Sequence, residues 1–323
     1  MKTTSQADLF SRRRFCGHLF AAGAASVSLG TSWASAAQPA GSSRKANLID
    51  VHVHLGQPWT DRGALTVEML LRWMDAHEVA QACVLPLISP ESYMYVITPA
   101  WVLEQTAPYR DRLIPFCSMD PRNPYMRGPG LRDQLRRYID AGARGFGEHK
   151  WGGAVDDQRN IDMLGVVAEM KLPVLFHMDN IRNTDRPGLP GLDKLLTALP
   201  NVVMIGHGPG WWASISGDAT QQDLGGYPRG PIAPGGAMEK LMAKHANLYA
   251  DLSAGSGSRA LQRDLKFARE FLIRLADRMM FGTDFLQPEQ AVDQFAVLRE
   301  LNLPDEVFRK IANGNARRVL GLS

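Results

Sequence analysis

Cysteine is scarce, with three in 323 residues. Cys16 lies too near the amino terminus to be informative about the fold, and too early for a lipoprotein cleavage site. Cys83 and Cys117 sit inside apolar runs and read as buried thiols. An oxidising compartment would let those two pair if their geometry fitted, but no disulfide framework can be built from them and nothing functional rests on them. Charge of one sign is also lacking. The formal net charge is +3, and residues 1–36 carry all of it, since Lys2, Arg12, Arg13 and Arg14 stand against Asp8. The remainder is neutral, which leaves no overall field with which to hold nucleic acid or an anionic membrane. Internal repeats and coiled-coil heptads are absent. A strongly apolar run of spanning length is absent too, because the stretch 19–36 is rich in Gly, Ser and Ala and only weakly hydrophobic, which argues against a membrane anchor.

That stretch has another reading. Ser11-Arg-Arg-Arg-Phe15 precedes it and Ala34-Ser35-Ala36 closes it, the layout of a cleavable twin-arginine export signal over 1–36. The expected destination is the periplasm or the exterior, with the twin-arginine export machinery as a partner. A homo-oligomer stays open. Residues 37–46 are small and polar and are expected to form a flexible leader. The segment 47–323 is then the folded body, with 45% apolar residues across the chain and length enough for one large core.

Within that body, strand-like apolar runs fall at 48–54, 82–87, 113–118, 145–148, 174–177, 202–206, 248–252 and 279–281. Between them lie amphipathic helical patterns, such as Val67, Leu70, Leu71 and Met74, or Leu131, Leu135, Tyr138 and Ile139, or Phe267, Phe271, Leu272 and Leu275. Eight strands alternating with helices predict an α/β fold, a single-domain (β/α)8 TIM barrel. A doubly wound open sheet is the alternative, but it would hold the first and last strands apart, whereas a barrel makes them neighbours. The longest irregular insertion, 208–236, follows the sixth strand and is expected to overhang the barrel mouth.

The placement of histidine carries the chemistry. His52 and His54 share one face of the first strand by their two-residue spacing. His177, His207 and Asp284 each close an apolar run on the fifth, sixth and eighth strands. Imidazoles and a carboxylate gathered at strand ends suit a divalent metal. His77 and His245 end helical segments, where their charge complements the helix dipole, and His149 should point away from its neighbour Glu148. Glu148 and Lys150 share a face. Glu148 is favoured as a ligand able to bridge two cations. Lys150 would address a metal only if carbamylated, or would hold a substrate anion, or would simply pair with Glu148.

The motifs Asp50-Val-His-Val-His54, His177, His207, Phe281-Gly-Thr-Asp284 and the closing Ile311-Ala-Asn-Gly-Asn-Ala316 resemble the amidohydrolase superfamily, in its amidohydrolase-related (family 2) branch. The resemblance spans 52–320. It implies metal-dependent hydrolase, lactonase or decarboxylase chemistry, the last akin to aminocarboxymuconate-semialdehyde decarboxylase. It also implies His52, His54, His177 and Asp284 around one metal, with His207 polarising substrate or binding a second ion. Glu148 departs from the mononuclear pattern and leaves the count at one or two ions.

Zinc is the default for this donor set, with manganese or iron as alternatives. A zinc-bound water, its pKa brought from about 15.7 to about 7, would attack an amide, ester or lactone of a small organic substrate. Asp284 would shuttle the proton and His207 would help stabilise the oxyanion. The alternative is a lyase removing carbon dioxide from a small carboxylated substrate, aromatic ones included. A non-catalytic exported binding protein is the third reading. Trp211 and Trp212 are candidates for an aromatic substrate wall, though they suit loop packing equally. Lys150, Arg186, Arg229 and Arg263 are candidates for holding a carboxylate.

Overall fold

A computed structural model of the chain describes residues 48–322 apart from positions 60, 62 and 126. The expected export signal over 1–36 and leader over 37–46 lie outside the described residues. Eight strands form one parallel sheet in sequential order: β1 (Leu48–Val53), β2 (Val79–Val84), β3 (Leu113–Cys117), β4 (Gly145–His149), β5 (Val174–His177), β6 (Met204–His207), β7 (Leu248–Asp251) and β8 (Met279–Met280). β8 is short because the chain bends at once into residues 281–285, which return to β1. Val51 donates to Phe281 O at 3.0 Å and His54 donates to Phe285 O at 2.9 Å. Phe285 also bridges Val53 in parallel. The first and last strands therefore meet, as a TIM barrel requires and an open sheet does not.

Two cores follow from strand alternation. Ile49, Val51, Cys83, Leu85, Ile114, Phe116, Leu175, Ile205, Tyr249 and Met280 fill the barrel, while the opposite faces pack under the helices, as Val174, Phe176, Leu192 and Leu195 do. Cys83 and Cys117 are buried and free, on different sides of the sheet. Burial pushes the Cys117 thiol up to about 12 and the Cys83 thiol well above its ordinary range.

The register shifts at three places, the first at the start of the β1–β2 pair, between Leu48↔Val79 and Ile49↔Gln81. Between the pairs Asp50↔Ala82 and Val53↔Val84, β1 advances three residues while β2 advances two. β4 does the same against β5, between Phe146↔Val174 and His149↔Phe176. An extra residue re-aims the side chains beyond it. Here the bulges let Val51 fill the barrel while His52 also turns into it, and they aim Glu148 inward. Gly147 makes the β4 bulge feasible, because its φ is +149° and a Cβ there would lie 2.6 Å from Leu175 O.

The 208–236 segment is less irregular than its composition suggests. It opens with the helix Pro209–Ala213 and later forms a turn at Asp223–Gly225. Among the described residues no helix is long and apolar enough to cross a membrane.

Candidate metal centre

His52, His54, Glu148, His177, His207 and Asp284 all lie at the carboxyl ends of their strands, and all but Asp284 are buried. Five of them fall into two groups of donor atoms within 4.8 Å of one another, His52 with Glu148 and His207, and His52 with His54 and Asp284. His52 belongs to both.

The histidines are oriented from behind. His54 Nδ1 donates to Leu85 O at 2.8 Å, and a carbonyl can only accept, so that nitrogen carries the ring proton. His52 Nδ1 donates to Asp251 Oδ2 at 2.8 Å, and His207 Nδ1 donates to Asp251 Oδ1 at 3.1 Å. The Ser253 hydroxyl donates to Asp251 at 2.9 Å and lies 2.8 Å from His207 Nδ1. One fully buried carboxylate thus fixes two rings, and all three Nε2 atoms are left for the cluster. His52 Nε2 and His54 Nε2 stand 3.2 Å apart. With the ring protons on the far side, two lone pairs face each other, an arrangement that calls for a cation or a proton between them.

Charge around the cluster points the same way. Burial would lower the pKa of His52, but Asp284, Asp251 and Glu148 raise it well above the ordinary histidine value. His54 is likewise raised against burial by Asp284 and Glu148. Burial, together with the charge of His52, keeps His207 below its ordinary value against Asp251 and Glu148. Burial would raise Glu148, yet Lys150 and the surrounding histidines hold it far below the usual carboxylate range. Asp284 is brought down to about 2, against burial, by His52 and His54. A set of buried nitrogen and carboxylate oxygen donors with surplus negative charge fits a divalent metal.

Asp284 is the accessible member, its side chain 16% exposed against 0–2% for His52, His54, Glu148 and His207. Its φ of +56° is left-handed, and its amide donates to His52 O at 2.8 Å. Asp50 holds that bend: one of its carboxylate oxygens accepts from the amides of His52 and Thr283, each at 3.0 Å, and the other accepts from the Thr283 hydroxyl.

Several candidates occupy other roles than the sequence suggested. His177 belongs to neither donor group; its Nδ1 lies 3.0 Å from Glu148 Oε1 and its Nε2 lies 2.8 Å from Asp179 Oδ2. Glu148 is both ligand candidate and ion-pair partner, with Lys150 Nζ 3.1 Å from Oε1 and His54 Nε2 3.4 Å from Oε2. Trp211 and Trp212 are not a substrate wall. They are 0% and 1% exposed in the core, and Trp212 Nε1 donates to Asp251 O at 3.1 Å. Arg263 spends two nitrogens on the carbonyls of Gly230 and Pro231, both at 2.9 Å. Arg186 and Arg229 are exposed. His149 does point outward, to Asn160 Oδ1 at 2.8 Å, and His77 and His245 cap their helices as expected.

Asp251, Ser253 and Asp179 are the residues that the sequence reading passes over. Asp251 carried the same signal as the chosen donors, an acidic residue closing an apolar run, whereas Asp179 lies in a loop with no such signal.

The amidohydrolase family model matches residues 49–322. No curated protein matches the chain. Among solved structures, a probable 2-pyrone-4,6-dicarboxylic acid hydrolase from Acinetobacter baumannii, with citric acid bound, is 14% identical, with TM-score 0.57 over 85% of this chain and 99% of that one. A 2,6-dihydroxybenzoate decarboxylase from Rhizobium is 18% identical, with TM-score 0.56 over 85% and 99%. An amidohydrolase from Burkholderia multivorans with bound zinc is 14% identical, with TM-score 0.59 over 85% and 99%. At these identities the structural likeness establishes the barrel alone. The family match covers nearly all of the described residues and the donor groups suit a divalent metal, so this chain belongs to the amidohydrolase family of metal-dependent enzymes.

Proposed function

We propose that the chain is a metal-dependent hydrolase of a small organic amide, ester or lactone. The observation that carries this reading is the meeting of His52, His54 and His207 Nε2 atoms with Glu148 and with the one accessible carboxylate, Asp284. His52, His54, Glu148, His207 and Asp284 would hold the metal, with His177 steadying Glu148. A divalent cation here, zinc by its donor preference, supplies Lewis acidity that polarises a carbonyl and makes water acidic.

The chain's own groups do the rest. Asp251 and Leu85 O fix the imidazole tautomers, so no reorganisation is needed during reaction. Asp284, ionised and open to the mouth, accepts the proton of the attacking water and returns it to the leaving group. His207, its Nδ1 held by Asp251, turns Nε2 toward the cluster and helps stabilise the oxyanion. Turnover in oxygen-labelled water tests the reaction class: label in the carboxylate product is expected, whereas carbon dioxide release without label would assign the chain to the decarboxylases. Asp284→Asn should lower kcat by about 10²–10⁴-fold while metal content is largely kept; unchanged kcat would remove Asp284 from the proton transfer. Export by the twin-arginine route belongs to the same reading, and a variant with Arg12 and Arg13 both changed to Lys should remain in the cytoplasmic fraction.

A further inference from the structure

The helix Ala254–Gln262 begins one residue after Ser253, which touches both His52 and His207. Ser256, Arg259 and Arg263 follow at three- and four-residue steps and share one face. Against that face lies the 208–236 loop, held there by the two bonds from Arg263 to Gly230 O and Pro231 O. Between helix and loop is a cavity of about 520 Å³ lined by Tyr227, Arg229, Arg259, Gln262 and Arg263, with Pro228 and Gly230. That volume falls in the range of small-ligand sites.

Three guanidinium groups line the cavity and no carboxylate does. Arg263 Nη1 is buried with no hydrogen-bond partner among the described residues. Arg259 stacks over the Tyr227 ring, 5.0 Å from its centroid, which leaves its donor edge uncommitted. Asp223, whose carboxylate feels the charge of Arg263, is outside the lining and already accepts from the Thr220 amide and hydroxyl at 2.8 and 2.7 Å. Guanidinium groups brought together without acidic partners repel one another, and a planar anion accepting two hydrogen bonds from a fork relieves that repulsion. Tyr227 ties the cavity to the reacting end: burial raises its phenol, and the charges of Asp284 and, more weakly, Asp179 raise it further, with Arg259 opposing.

We propose that this cavity is a subsite for a remote carboxylate of the substrate. The lining includes none of the metal donors, so the substrates are organic acids whose anionic group lies away from the bond that reacts. The inference rests on the hydrolytic reading only in identifying the ligand as substrate; the anion site itself does not depend on it.

Calorimetric titration of the metal-loaded protein with biphenyl dicarboxylate and with biphenyl monocarboxylate tests it. The dicarboxylate should bind about tenfold more tightly or better, and Arg259→Gln with Arg229→Gln should abolish that preference. The single variant Arg229→Gln, at an exposed residue, guards against a folding defect and should weaken the preference in part. Equal binding of the two acids to the wild type, no binding of either, or a preference that survives in the double variant would overturn the proposal. Labelled-oxygen turnover is read separately: hydrolysis without dicarboxylate preference removes the subsite alone, and preference without hydrolysis removes the reaction class alone.

Discussion

At the scale of the residue, orientation matters as much as identity. Nitrogen and oxygen donors can be recognised in a sequence, but a metal site also needs their unused atoms to be tied down. Asp251 does this for two imidazoles at once. Asp251→Asn keeps the shape while removing the charge and one acceptor, and should weaken metal affinity about 10–100-fold, measured by competition with a chromophoric chelator; unchanged affinity would mean that the rings are held by packing alone. The donors were legible because each ends an apolar run, and that rule works wherever strand ends converge. It does not tell a ligand from the group behind it. His177 and Asp251 carry the same sequence signal, yet one lies between Glu148 and Asp179 and the other anchors two donors. The tryptophans of the 208–236 segment illustrate a different limit: an aromatic pair in a Gly- and Pro-rich stretch has no period, so nothing local showed that it would form a short helix and turn into the core.

At the scale of the element, the barrel was legible from eight apolar runs, and its closure from the need to bring Asp284 to His52. The bulges in β1 and β4 were not, because simple alternation already placed His52 with His54 and Glu148 with Lys150 and gave no reason to insert a residue. Gly147→Ala places a methyl group against Leu175 O and a side chain at φ +149°, so a loss of about 1–3 kcal/mol is expected. Metal content should fall with it, since the bulge aims Glu148; unaltered melting and metal content would show the bulge to be incidental. The loops after β2 and β3 are joined by Arg122, which pairs with Glu91 at 2.6 Å and with Asp120. Against burial, Arg122 holds the Asp120 carboxyl below its ordinary 3.8, and its hydrogen bonds lower that of Glu91 as well. A depressed folded-state value contributes stability that is present above the unfolded pKa and is lost as pH falls through the folded one. Arg122→Gln should therefore cost about 1 kcal/mol near neutrality, with the gap in melting temperature narrowing as pH drops below about 4. A gap constant down to pH 2 would contradict the ionic account.

At the scale of the whole molecule, segments far apart in the chain are brought to one place: β1 supplies His52 and His54, β4 supplies Glu148, β6 supplies His207, and the turn after β8 supplies Asp284. A closed parallel barrel permits this because every strand delivers its carboxyl end to the same rim. A cavity of about 650 Å³ lies elsewhere, beside Leu48 at the amino end of β1 and among Phe295, Leu298 and Phe308, and contains none of the donors. Fold and donor types were therefore readable from residues, while substrate contacts were not, since a basic side chain in a loop looks the same whether it faces a cavity or water. Metal analysis of the purified chain, combined with melting before and after chelation, tests convergence most directly. A divalent ion bound to the wild type and lost in His52→Asn, the donor common to both groups, with a lower melting temperature after chelation, is the predicted result. Folded protein that binds no divalent ion and melts identically with and without chelator would contradict it.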